Sequence, residues 1–212
     1  MAWPPIPSAW RLEGHRGSLG TMALDDPILA FGTAADLDSW LERNNAASSG
    51  IWLKIAKKDS GVESVSYAEA LDVALCHGWI DGLKRGLDDA SWLQRFTPRT
   101  TRSKWSRVNC EKAEALLRRG ALRPAGLRQI ELAKADGRWE AAYHGMRTAA
   151  VPDDLAAAIA ATPAAAAFFE NLDRRNRYAM IYRVNDAKRD ETRRRRIEQF
   201  VGMLSEGRKL YP

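Results

Sequence analysis

The sequence predicts an α+β protein, with a small mixed or antiparallel sheet and helices followed by an all-helical C-terminal module. Three observations carry that expectation. Ile51, Leu53 and Ile55 alternate with Trp52 and Lys54, as in a half-buried strand. Two more β-like runs, 79–85 and 91–97, are joined by a turn at Asp88 and Asp89. Beyond about residue 137 the periodic segments all read as helices.

Residues 1–25 hold Pro4, Pro5 and Pro7, then Gly14, Gly17 and Gly20, with no period. They have neither the charged start nor the uninterrupted apolar centre of a signal peptide. They are expected to be a disordered extension, or the product of an upstream start with Met22 as the true beginning. Residues 26–137 are expected to form the α+β domain. Thr33 with Asp36 is an N-cap pair, and Leu37, Trp40 and Leu41 give the first helical stripe. Ser66 with Glu69 is a capping box for a helix whose Tyr67, Ala70, Leu71, Ala74 and Leu75 face inward and which Gly78 closes. Pro98 stops the last strand. A helix then runs from Ser103 or Ser106 to Gly120 with Ala113, Leu116 and Leu117 inward, and another from Pro124, favoured at a first helical position, to Gly137. Residues 138–151 read as a connector. The C-terminal module, 152–212, holds helices at 152–161, 163–172, about 175–187 and 191–206.

Composition sets the class of protein. The 212 residues are 45% hydrophobic and 28% charged, as in a globular chain. Two cysteines, Cys76 and Cys110, argue against a disulfide scaffold and suit a reducing cytoplasm. No apolar run approaches the roughly 20 residues of a membrane helix, so no membrane span is expected.

The net charge of +6 is unevenly placed. Ten basic residues against three acids between Arg174 and Arg196 give that stretch +7 and the remainder −1. One reading is a nucleic-acid or acidic-partner surface. The favoured reading is a solvated, partly ion-paired helix face, because Ile197, Phe200, Val201 and Leu204 make one stripe of the last helix core. Arg193–Arg196 also lacks an interleaved aromatic on which a base would stack.

Standard catalytic signatures are missing: no nucleophile elbow, phosphate loop, dinucleotide fingerprint or zinc helix pair. His15, His77 and His144 are scattered, and no metal or cofactor is expected. Cys76 next to His77 suggests a nucleophile, but its place at the apolar end of a helix favours a small core residue. The chemistry concentrates between Cys76 and Asn109. Trp79, Asp81, Arg95, Thr97, Arg99, Ser103, Trp105, Ser106 and Asn109 combine flat apolar faces with fixed hydrogen-bonding groups, which is the composition of a small-molecule pocket. If the two β-like runs pair, Asp81 lies near Arg95. Arg99 and the helix start at 103–106 would hold an anionic group. The same residues also fit a purely structural role, with core tryptophans and an internal ion pair. The expected partner is a small anionic molecule, with a protein partner as an alternative and nucleic acid less favoured. The leading expectation is a non-enzymatic binding protein; the alternative is a hydrolase or transferase with Asp81 as general base.

The stretches Ala74-Leu75-Cys76-His77-Gly78-Trp79-Ile80-Asp81-Gly82, Arg95-Phe96-Thr97-Pro98-Arg99 and Ser103-Lys104-Trp105-Ser106 carry a resemblance. Arg123-Pro124-Ala125-Gly126-Leu127, 133–139 and the C-terminal Ala187-Lys188 through Ile197 extend it. From about Asp26 onward the chain resembles the bacterial YdeI/OmpD-associated, or bacteriocin-protection, family. His77 departs from the aromatic, usually Phe, found there. The resemblance implies a bacterial cytoplasmic protein with an α+β core and a helical C-terminal module, linked to stress or bacteriocin tolerance. It implies no catalytic residue, because the family name records an association and not a reaction.

Overall fold

In the computed structural model, which describes residues 26–212, the chain divides into two compact units. One extends to Trp105 and resumes over Asn109–Ala142; the other comprises Ser106–Val108 and Tyr143–Pro212. The expectation for residues 1–25 lies outside the described residues.

Both early helices begin where their caps direct. Thr33 accepts from the Asp36 amide and Asp36 answers at the Thr33 amide, starting α1 (Ala34–Asn44). Ser66 and Glu69 make the same reciprocal pair for α2 (Tyr67–Cys76). Each box satisfies amides that a helix start leaves orphaned.

A short strand β1 (Ile28–Ala30) precedes α1 and pairs in parallel with β2 (Ile51–Ala56), so α1 is the crossover between them. Two longer strands, β3 (Trp79–Gly86) and β4 (Ser91–Pro98), form a hairpin. β4 pairs antiparallel with β2, giving the order β1-β2-β4-β3. The sheet is therefore mixed and small, and the α+β class holds. Helices α3 (Arg107–Arg118) and α4 (Pro124–Ala135) complete this part.

The first unit's core joins Leu37 and Leu41 of α1, Leu53 of β2, Ala70 and Ala74 of α2, and Trp79 and Phe96 of the hairpin. Two expected inward residues differ. Tyr67 is 37% exposed and Leu117 45%. Tyr67 is the first residue of α2, where its hydroxyl donates to Asp81 at 2.8 Å instead of entering the core.

The second unit is helical: α5 (Asp153–Ala160), α6 (Pro163–Glu170), α7 (Arg174–Asn185) and α8 (Asp190–Ser205). Ile197, Phe200 and Leu204 are buried as the stripe requires, against Leu155, Met180 and Val184. One polar side chain enters this interior. Asn176, 1% exposed, donates to the Tyr211 carbonyl and accepts from the Tyr211 amide at 3.1 and 2.8 Å. That two-way bond satisfies its amide, as burial demands.

Candidate functional site

The nine residues expected to line a pocket fall into separate bonding groups. Trp79 is fully buried, with Nε1 donating to Asn45 Oδ1 at 3.2 Å and its ring edge-on to Trp40. Arg95 reaches buried Asp26, Nε to Oδ2 at 2.8 Å. Asp81 does not pair with Arg95 as expected. Register sets Asp81 opposite Phe96, so Arg95, one residue away, points from the other face of the sheet. Thr97 sits opposite Ile80.

Arg99, only 4% exposed, lies 3.5 Å over the Trp105 ring and donates to the Lys104 carbonyl at 3.2 Å. Ser103 accepts from the Thr100 amide, and Arg138 donates to the Thr100 and Ser103 carbonyls. Trp105, 2% exposed, packs against Trp139 at 4.8 Å. The stretches 95–106 and 133–139 thus meet as a wrapped loop around a guanidinium and two indoles. Ser106 bridges to Tyr143 within the second unit, and Asn109 is buried on α3. With Trp79 and Trp105 at 0% and 2% exposure, neither indole offers a face to solvent.

An open cleft of about 450 Å³ lies elsewhere in the first unit, and none of these nine residues lines it. α1 contributes Ala34 and Asp38; α2 contributes Glu69, Asp72, Val73 and Cys76. The end of α3 and the following loop add Leu116, Arg119, Ala121 and Arg123. Local chemistry fixes these walls. Gly78, at φ 75°, turns the chain out of α2 in a conformation that glycine adopts without strain. Gly126 lets α4 approach so closely that an added Cβ would stand 2.3 Å from the Cys76 carbonyl oxygen. That oxygen accepts from the Arg123 amide at 3.0 Å. The stretches 74–82 and 123–127 therefore meet beside the cleft.

The cleft's three carboxylates all have partners. Asp38 Oδ1 lies 2.7 Å from His77 Nε2, and its Oδ2 accepts from Arg123 Nη2 at 2.6 Å. Burial pushes the Asp38 carboxyl up, but hydrogen bonds from His77 and Arg123 outweigh it and hold the group below its ordinary value. Asp72 takes the Lys112 ammonium at 2.6 Å, and Glu69 is spent on its cap. Arg119 is different: among the described residues its guanidinium makes no hydrogen bond or ion pair. Burial, aided by the Asp38 charge, pushes the Cys76 thiol up to about 11. At neutral pH it is a protonated, apolar wall group and not a nucleophile.

Of the cleft's wall residues, Cys76 stands out in the sequence beside His77, whereas Asp38, Asp72 and Arg119 belong to no motif there. The available signal was the Gly78 and Gly126 pair, whose absent side chains mark a close backbone approach.

In the second unit much of the basic charge works internally. Arg193 makes a two-point pair with Asp154, Nε–Oδ2 2.5 Å and Nη2–Oδ1 2.8 Å, and donates to the Val184 carbonyl. Arg196 bonds the Arg183 carbonyl, and Arg177 the Phe169 and Glu170 carbonyls. These guanidinium groups cap helix C-termini, whose last carbonyls lack intrahelical donors. The ion-paired reading of the +7 stretch therefore holds for Arg193. Exposed Arg174, Lys188, Arg189, Arg194 and Arg195 have no side-chain partner among the described residues.

Two family models match the chain. Residues 148–207 match the family described as bacteriocin-protection, YdeI or OmpD-associated. Residues 29–129 match a family described as a domain of unknown function (DUF8412). The expected family resemblance thus rests on the C-terminal segment, while the stretches from Ala74 to Trp105 fall in the other match. No curated protein and no solved structure matches the chain.

Proposed function

We propose that this chain, whose residues 148–207 match the bacteriocin-protection, YdeI or OmpD-associated family, is a cytoplasmic binding protein linked to stress or bacteriocin tolerance. Its ligand is small, polar and anionic, and its site is the cleft between α1, α2 and the end of α3. The observation that carries this reading is the recess itself. Its volume of about 450 Å³ falls within the ~300–1,000 Å³ typical of small-molecule sites. Apolar walls from Val73, Cys76 and Leu116 are rimmed by Arg119 and Arg123.

Binding suits the cleft better than catalysis. A thiol at about 11 supplies almost no thiolate at neutral pH. A carboxylate held by two donors below its ordinary value is a poor general base. Asp81, the alternative base, is engaged by the Tyr67 hydroxyl and is absent from the cleft wall.

A thermal-shift screen of the full chain against a metabolite library tests the proposal. A true ligand at 100 times its Kd adds about 2.7 kcal/mol to stability. The same ligand should not shift Ala121→Trp, which fills the recess. Shifts that survive in Ala121→Trp, or none across anionic compounds in the wild type, would overturn the reading.

A further inference from the structure

The cleft's charges, counted one by one, narrow the chemistry of its occupant. We infer that the cleft binds a small monocarboxylate with an apolar body, anchored by one ion pair to Arg119 while Arg123 stays locked on Asp38. The inference rests on the reading of the cleft as a ligand site.

Each wall carboxylate already has its donors: Asp38 has His77 and Arg123, Asp72 has Lys112, and Glu69 has the Ser66 amide and hydroxyl. A ligand ammonium would find no carboxylate without a donor and could only share Asp38, Asp72 or Glu69 with the groups already on them, so it gains less there than at a bare carboxylate. Arg119 has nothing to lose. Arg119 lines the recess and its guanidinium makes no hydrogen bond or ion pair among the described residues, so a carboxylate that meets it there gains a charge-assisted, two-point contact. The cleft has one such cation and not two, because Arg123 is held at 2.6 Å by Asp38. A dianion would therefore bring a second charge that meets only neutralised groups and carboxylates. The remaining wall, from Ala34, Val73, Cys76, Leu116 and Ala121, is apolar. Cys76 belongs to it because its thiol stays protonated at neutral pH. Such a wall rewards burial of a hydrocarbon or aromatic body.

Four probes with one body but different charge test the assignment: benzoate, benzylammonium, benzyl alcohol and phthalate. Each is titrated into the full chain while the methyl NMR signals of Val73, Leu116 and Ala121 are followed. Benzoate is expected to bind at least tenfold more tightly than the other three. Arg119→Ala should cost benzoate about tenfold and leave benzyl alcohol unchanged, and Arg119→Lys should recover part of the loss. Equal binding of all probes, preference for benzylammonium or phthalate, or no loss in Arg119→Ala would overturn the monocarboxylate assignment and leave the cleft as a ligand site. If no probe of any charge moves a cleft methyl signal, the cleft reading itself falls, and this inference with it.

Discussion

Asp154 near the start of α5 and Arg193 in α8, 39 residues apart, form a two-point ion pair, and the same guanidinium donates to the Val184 carbonyl of α7 at 3.1 Å. One side chain thus ties three helices of the second unit. The pair is partly exposed, at 27% and 46% of the two side chains, so screening limits it to about 0–1 kcal/mol. The bond to Val184 caps a carbonyl near the end of α7, and hydrogen bonds to charged groups are worth about 1.5–3 kcal/mol. Arg193→Ala should therefore cost more than Asp154→Asn, by about 1 kcal/mol or more. Urea unfolding at constant m-value measures both. Equal losses would show that the carbonyl bond contributes nothing.

Asp38 gives the first unit an acid-sensitive element. Burial raises its carboxyl, but His77 and Arg123 together bring it below its ordinary value. A carboxyl lowered in the folded state binds fewer protons there than in the unfolded chain. Its contribution is therefore complete above the unfolded value of about 3.9 and is lost as pH falls through the lower folded value. In urea midpoints taken from pH 6 to 2, wild type should exceed Asp38→Asn by a constant amount down to about pH 4, and by progressively less below it. A gap that stays constant to pH 2 would mean that the contact does not depend on the carboxylate's charge.

How legible these features are depends on how local they are. Both capping boxes were visible in the sequence because Thr33–Asp36 and Ser66–Glu69 are contacts between residues three apart. The stripe Ile197, Phe200, Val201 and Leu204 was visible for the same reason, being one face of a single helix, although Val201 at its edge is only partly buried. β1 was not, because three residues cannot display an alternation. The facing of Asp81 and Arg95 was not either. It depends on which residue stands opposite which, and a register irregularity between Asp81 and Lys84 shows that spacing along the strand does not fix it. The cleft depends on still longer-range geometry: Asp38, Asp72, Arg119 and Arg123 become neighbours only when three helices pack. The tryptophans misled for a physical reason. Indoles serve pockets and cores equally well, and composition alone does not separate the two uses.

Gly126 and Gly202 are both helical glycines, and replacing each by alanine should act in opposite directions. An added Cβ at Gly126 would stand 2.3 Å from the Cys76 oxygen and 2.8 Å from that of Leu75, both of them backbone atoms that a rotamer change cannot relieve. α4 would have to move off α2, straining the Arg123 amide bond to Cys76 and, with it, the Arg123–Asp38 pair at the cleft. Gly126→Ala should cost at least about 1–3 kcal/mol, the usual range for overpacking. At Gly202 in α8 nothing lies within 4 Å of an added Cβ. Gly202→Ala meets no obstacle there and should gain about 0.5–1 kcal/mol from reduced backbone freedom in the unfolded chain. Urea unfolding of the two variants beside wild type decides the matter. A neutral Gly126→Ala would mean that the α2–α4 approach is not held by packing, and the account of how the cleft wall is built would have to be abandoned.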